Sequence, residues 1–191
     1  MASKPFDRHG IDKDPSQCFE LNRDLMQWAY QLTKDTPLFD RPELVGRRAE
    51  FVGFPKAQKE PSVMIGSHLA DSIFWHGVKM TEFGQKWVDF WTKGKGTFTT
   101  KAIEDSGSLQ SLSNLHKPGK VDYNRVIILR TASNSSMPST DMMACQSIAR
   151  EHGASLSAMN EALEAAFLAG NRVFQTLLDN WDQVSDAVPG S

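Results

Sequence analysis

Apolar residues recur at helical spacing in four segments of the chain, and each segment predicts an amphipathic helix. Asp14 and Pro15 suit the first turn of the first helix, whereas Gly94 ends the second helix and Pro118 stops the third. The fourth helix is the longest, and we expect it to pack on a sheet. The segments cover residues 14–32, 80–91, 109–115 and 159–181.

Three shorter runs have the composition of β-strands, namely residues 63–65, 97–100 and 126–129. The last run is unbroken and apolar, as a strand covered by helices on both faces requires, and it is the firmest strand prediction. Residues 1–15 lack a hydrophobic period and predict a flexible N-terminal segment. Residues 37–61 carry four prolines and predict a surface connection with at most a short turn of helix.

These elements predict an α/β fold with an incomplete sheet. About three strands accompany at least four helices, whereas a free-standing covered sheet usually has five or six strands. We therefore expect the chain to take strands from a partner or to form the second part of a larger domain.

Composition excludes several classes of protein. The net charge of -2, with 23% charged residues, provides no basic stripe for a nucleic acid. The first ten residues contain no apolar run that could form the core of a secretory signal, so none is expected, and no apolar stretch approaches the ~20 residues of a membrane-spanning helix. We therefore expect a soluble chain, cytoplasmic or associated with the plasma membrane.

The cysteines and histidines predict no metal site. Cys18 and Cys145 have no metal-binding spacing and are expected to be buried free thiols. His68 and His76 lie eight residues apart without a nearby cluster of other ligands, so zinc binding is not expected.

Candidate binding residues follow each strand-like run, where open α/β sheets bind their ligands. An aromatic ring can cover a flat base, a carboxylate can accept hydrogen bonds from two ribose hydroxyls, and an amide can pair with a purine edge. The alternatives are that the aromatic residues pack in the core, the acidic pair begins a helix and the last pair forms an ordinary turn. The candidates are Phe74, Trp75, Glu104, Asp105, Ser133 and Asn134.

An ordered set of short motifs resembles the purine nucleoside permease family. The resemblance runs from about Phe19 to Pro189. Its motifs are Phe-Trp-His-Gly at 74–77, Gly-Lys-Gly-Thr-Phe at 94–98, Glu-Asp-Ser-Gly at 104–107, Val-Asp-Tyr-Asn-Arg at 121–125 and Leu-Arg-Thr-Ala-Ser-Asn at 129–134.

The resemblance implies a fold similar to that of nucleoside phosphorylases and nucleosidases, a three-layer α/β/α sandwich around a mixed sheet. Residues 16–191 would form the C-terminal half of such a domain. Glu104 would hold the ribose hydroxyls and Asn134 would steady the departing purine, which makes both residues catalytic candidates. Phe74 or Trp75 would stack on the base.

The implied function is binding of a purine nucleoside (inosine, guanosine or adenosine) in uptake and metabolism. Its N-glycosidic bond would be cleaved by phosphorolysis or hydrolysis when the fold is complete, with phosphate as a co-substrate in the first case and no other cofactor. Two alternatives stay open: a soluble binding component of transmembrane nucleoside transport, or a non-catalytic truncated relative that pairs with a full-length homologue. Homo-oligomer formation is a further expectation.

Overall fold

The computed structural model describes residues 18–153 and 158–190, which form helices and a small parallel sheet. The prediction of an α/β fold is confirmed, whereas the three-layer sandwich stays a prediction. In chain order the elements are α1 (Arg23–Thr33), α2 (Pro42–Ala49), β1 (Ser67–Ala70), α3 (Val78–Thr92), β2 (Phe98–Ala102), α4 (Asp105–His116), a 3-10 turn (Tyr123–Arg125), α5 (Ala144–Gly153), α6 (Met159–Asp179) and α7 (Trp181–Val184).

The sheet is one β-α-β unit in which α3 connects two parallel strands. His68 lies opposite Thr100 and Ala70 opposite Ala102, after an irregularity between Ser67 and His68. The backbone amide of Asp71 donates to the carbonyl of Ala102 at 3.0 Å, so the pairing continues just past β1. Both strands therefore end at the same edge of the sheet.

The aromatic face of α3 packs onto this sheet. Leu69, Trp75 and Val88 form the buried cluster, with Met80, Phe83, Trp87 and Phe98 packed around it. The Trp75 and Phe83 rings lie 5.2 Å apart between centroids, within the usual range for aromatic pairs. The predicted aromatic helix is confirmed, and the chain leaves it through Gly94 at φ 75°.

The first predicted helix begins later than its apolar spacing suggests. Asn22 caps α1, since its Oδ1 accepts from the amides of Asp24 and Leu25 at 2.9 and 3.2 Å. The predicted start at Asp14 and the segment 1–15 lie outside the described residues.

Helix α6 confirms the long C-terminal helix and packs against α1, and its Ala162 and Ala169 are buried. An ion pair of 2.8 Å between Arg41 and Glu164 also joins the start of α2 to α6. None of the helices in the described part of the chain is both long enough and apolar enough to cross a membrane.

Two strand predictions are wrong. Residues 63–65 precede the sheet, which begins at Ser67. Residues 126–129 have no strand partner among the described residues, and Ile127 and Leu129 are 41% and 48% exposed. An apolar run becomes a strand only where another strand can pair with its backbone.

Other differences concern α2, α5 and the cysteines. Helix α2 has eight residues, more than the short turn expected in 37–61, and α5 lies between the runs 126–129 and 159–181, where no helix was predicted. Glu50 and Arg150 join these regions through two contacts of 2.7 and 2.8 Å. Cys18 and Cys145 are free but exposed, so the prediction of buried thiols is wrong.

Gly66 permits close approach of the chain to β2, and a Cβ atom at this position would lie 2.1 Å from Thr99 Cγ2. We predict that Gly66→Ala lowers the free energy of unfolding by about 1–3 kcal/mol, measured by urea denaturation. Gly46→Ala is the control, because nothing lies within 4 Å of its added Cβ in α2. Equal effects of the two substitutions would contradict this packing.

Candidate functional site

A large cavity of about 1830 Å³ runs along β1 and β2, from Ser67 and Thr97 at their amino ends to Asp71 and Asp105 beyond their carboxyl ends. It exceeds the roughly 300–1,000 Å³ of ordinary small-ligand pockets, so a single small ligand would fill only part of it. At the strand ends it is lined by Asp71, Asp105 and Arg130, with His68 behind them on β1. This part of the cavity is the candidate site.

Arg130 and Asp105 form the central contact of the site. Arg130 Nε donates to Asp105 Oδ2 at 2.8 Å, and its Nη2 donates to Asp105 Oδ1. The same Nη2 lies 3.3 Å from Glu104 Oε2. The hydrogen bond to Asp105 is the main reason why the pKa of Arg130 is raised. This paired, charge-assisted geometry fixes the segment after residue 129 against the start of α4.

His68 extends this cluster into the sheet. Its Nδ1 lies 2.9 Å from Thr100 Oγ1, and its Nε2 lies 3.1 Å from Asp105 Oδ2 in a geometry unsuited to a hydrogen bond. Burial lowers the pKa of His68, Asp105 opposes this shift and Arg130 adds to it. We therefore expect a neutral imidazole near pH 7.

Glu104 lies at the outer edge of the cluster and does not line the cavity, with a side chain that is 67% exposed. The backbone amides of Glu104 and Ile103 are the leading causes of the lowered pKa of its carboxyl group. The Ile103 amide donates to Oε2 at 3.3 Å. The carboxylate is therefore ionised at neutral pH and accessible from solvent.

The two aromatic candidates lie in different surroundings. Trp75 lines the cavity but is only 5% exposed and packs in the core. Phe74 is 57% exposed and does not line the cavity. The centroid of its ring lies 6.2 Å from that of the stacked His76 ring and 4.5 Å from Lys101 Nζ. A base-stacking role for either ring stays a prediction.

Ser133 and Asn134 both line the cavity, in the loop that follows Arg130. The Ser133 carbonyl accepts from the amide of Ala158 at 2.8 Å, which ties the loop to the start of α6. Further along, the amide of Gly77 donates to the Ser136 carbonyl at 2.8 Å. These contacts fix the loop of Asn134 to the start of α6 and to the start of α3.

Asp105, Ser133, Asn134 and Trp75 thus line one cavity. The sequence prediction did not include His68 or Arg130 among the site residues. Arg130 was part of a quoted motif, so its position next to Asn134 was a usable signal. His68 gave none, because only the observed strand and register place it beside Asp105.

The sequence profile of the purine nucleoside permease (NUP) family matches residues 2–189. The chain belongs to the purine nucleoside permease family.

Relatives in this family share about a quarter of their aligned residues with the chain. A purine nucleoside permease of Candida albicans is 26% identical over 172 residues, covering 90% of this chain and 42% of the relative. A probable purine nucleoside permease of Schizosaccharomyces pombe is 24% identical over 163 residues, covering 85% of this chain and 46% of the relative. The chain thus spans less than half the length of these relatives. No solved structure matches it.

The expected cytoplasmic location is wrong on this comparison. The family and the matched relatives are named permeases, a name for proteins of nucleoside transport rather than for cytoplasmic proteins.

The contact between His68 and Asp105 yields a prediction about proton binding. Since Asp105 raises the pKa of His68 against the effect of burial, Asp105→Asn should lower that pKa further. NMR titration of the imidazole ring protons measures the pKa of His68 in both proteins. Asp122→Asn, a substitution near the 3-10 turn, should leave the His68 titration unchanged. An unchanged or higher pKa in Asp105→Asn would show that the two side chains do not interact.

Proposed function

We propose that this chain binds a purine nucleoside at the carboxyl ends of β1 and β2, as the nucleoside-recognition part of a purine nucleoside permease. The observation that supports this most is the meeting of acidic, amide and hydroxyl side chains in one cavity at the edge where both strands end. Such an edge is where open α/β sheets bind ligands.

Each part of a nucleoside has a suitable group near it. Asn134 carries both a donor and an acceptor for the purine edge, and Ser133 adds a hydroxyl. Glu104 is ionised and 67% exposed, and although its Oε2 contacts Arg130 at 3.3 Å, its carboxylate has further acceptor positions for the ribose hydroxyls. Asp105 is already bound to Arg130, so we assign it to holding that arginine rather than to the sugar.

Substitution of Glu104 and Asn134 tests the proposed nucleoside binding. Calorimetric titration should show binding of inosine, guanosine or adenosine, and weaker binding of uridine. Asn134→Ala and Glu104→Ala should each weaken purine nucleoside binding about 3- to 10-fold, the value of one or more lost hydrogen bonds. Asp122→Asn serves as the control. Unchanged affinity in both variants would refute these roles.

Cleavage of the N-glycosidic bond is the second candidate function. It is favoured by the ionised carboxylate of Glu104, since negative charge near the ribose stabilises an oxocarbenium-like transition state. In this proposal Asn134 steadies the departing purine, and phosphate or water is the nucleophile.

Chromatography of free base tests cleavage directly. The purified chain is incubated with each purine nucleoside, with and without phosphate. Release only with phosphate is expected for phosphorolysis, and release in both conditions for hydrolysis. Binding without release by this chain would contradict cleavage by these residues alone and leave the binding proposal standing.

A further inference from the structure

Helix α6 carries a line of large apolar side chains on its exposed side. Leu163, Phe167, Phe174 and Leu178 are 61%, 67%, 58% and 52% exposed, and we call them the α6 stripe. The opposite side of the helix holds the buried Ala162 and Ala169. None of the four stripe residues lines the cavity. The stripe is therefore a surface separate from the candidate site.

The α6 stripe is symmetric in both spacing and residue type. Its members are separated by four, seven and four residues, and they read Leu, Phe, Phe, Leu in either direction. The centre of this pattern falls between Gly170 and Asn171. When two copies of α6 pack antiparallel about a two-fold axis at this point, Leu163 meets Leu178 of the second copy and Phe167 meets Phe174. A two-fold interface requires this self-complementarity.

The surroundings of the stripe suit burial against a second copy. Between residues 165 and 178 the sequence contains one charged residue, Arg172, which lies on the far side of the helix from the stripe. Glu164, beside Leu163, is paired with Arg41 at 2.8 Å. Gly170, near the centre, faces the chain's own Leu129, because a Cβ atom added there would lie 3.3 Å from Leu129 Cδ2. Pairing therefore buries no unpaired charge along the stripe.

The available area is sufficient for a weak to moderate dimer. Met159 and Trp181, at the two ends, are 49% and 60% exposed and extend the apolar surface. With roughly 100 Å² exposed on each of six side chains, two copies bury about 1,200 Å², the lower end of the range for stable interfaces.

We propose that two copies of this chain associate through the α6 stripe, with the two α6 helices antiparallel about a two-fold axis near Asn171. The contact is apolar, so higher salt should not dissociate it. The proposal is independent of nucleoside binding, because the stripe and the cavity share no residue.

Sedimentation velocity of the whole chain tests the association. We expect a dimer at micromolar concentration and an increase of at least about 100-fold in its dissociation constant in Phe167→Glu, since each dimer then places two carboxylates in an apolar contact. Phe54→Glu, at an exposed aromatic residue outside α6, is the matched control and should dimerise as the unmodified chain does. Circular dichroism checks that both variants are folded. A monomeric unmodified chain, or a dimer insensitive to Phe167→Glu, would overturn the proposal.

Cross-linking tests the orientation, with Cys18 and Cys145 first replaced by serine because both are exposed. In an antiparallel pair Asn171→Cys lies next to its own copy, whereas the two Asn160→Cys positions are about 30 Å apart along the helices. A short bis-maleimide should therefore link Asn171→Cys and not Asn160→Cys. Linkage of Asn160→Cys as well as Asn171→Cys would indicate parallel helices, in which every position of the contact faces its own copy, and would overturn the antiparallel arrangement.

Discussion

The parallel pairing of β1 with β2 is the constraint on which the site depends. Parallel neighbours need a crossover connection, and α3 provides it while its aromatic face covers the sheet. The pairing places Asp71 and Asp105 at one edge, since each follows the end of a strand. Arg130 then joins Asp105 and brings the loop of Asn134 to that edge. Without the pairing, these groups would belong to unrelated loops.

The spacing of apolar residues and the helix stop signals were sufficient to predict three of the helices. Helices α3, α4 and α6 have apolar faces and clear stop signals such as Gly94 and Pro118, and all three were predicted. The run 126–129 has the composition of a buried strand but no partner among the described residues, and strand formation depends on that non-local contact. Helix α2 was underestimated because the four prolines of residues 37–61 suit a loop, although one of them, Pro42, occupies the first turn of the helix.

The candidate site was predictable in part for the same reason. Of the residues predicted after strand-like runs, Asp105, Ser133 and Asn134 line the cavity. Glu104 and Phe74 do not line it, and the binding role of each residue stays a prediction. His68 could not be found, because its role depends on strand register and on burial. The two neighbours Phe74 and Trp75 could not be told apart from sequence, because core packing decides which ring remains exposed.

An NMR titration of the labelled chain with guanosine, followed through the backbone amide resonances, tests directly whether a nucleoside binds at the ends of β1 and β2. We expect saturable shifts concentrated around the strand ends, at Glu104, Asp105, Arg130 and Asn134. Ribose alone should give smaller shifts confined to the acidic pair. Saturable shifts confined to other parts of the chain, or no shifts at all, would contradict a nucleoside site at the ends of β1 and β2.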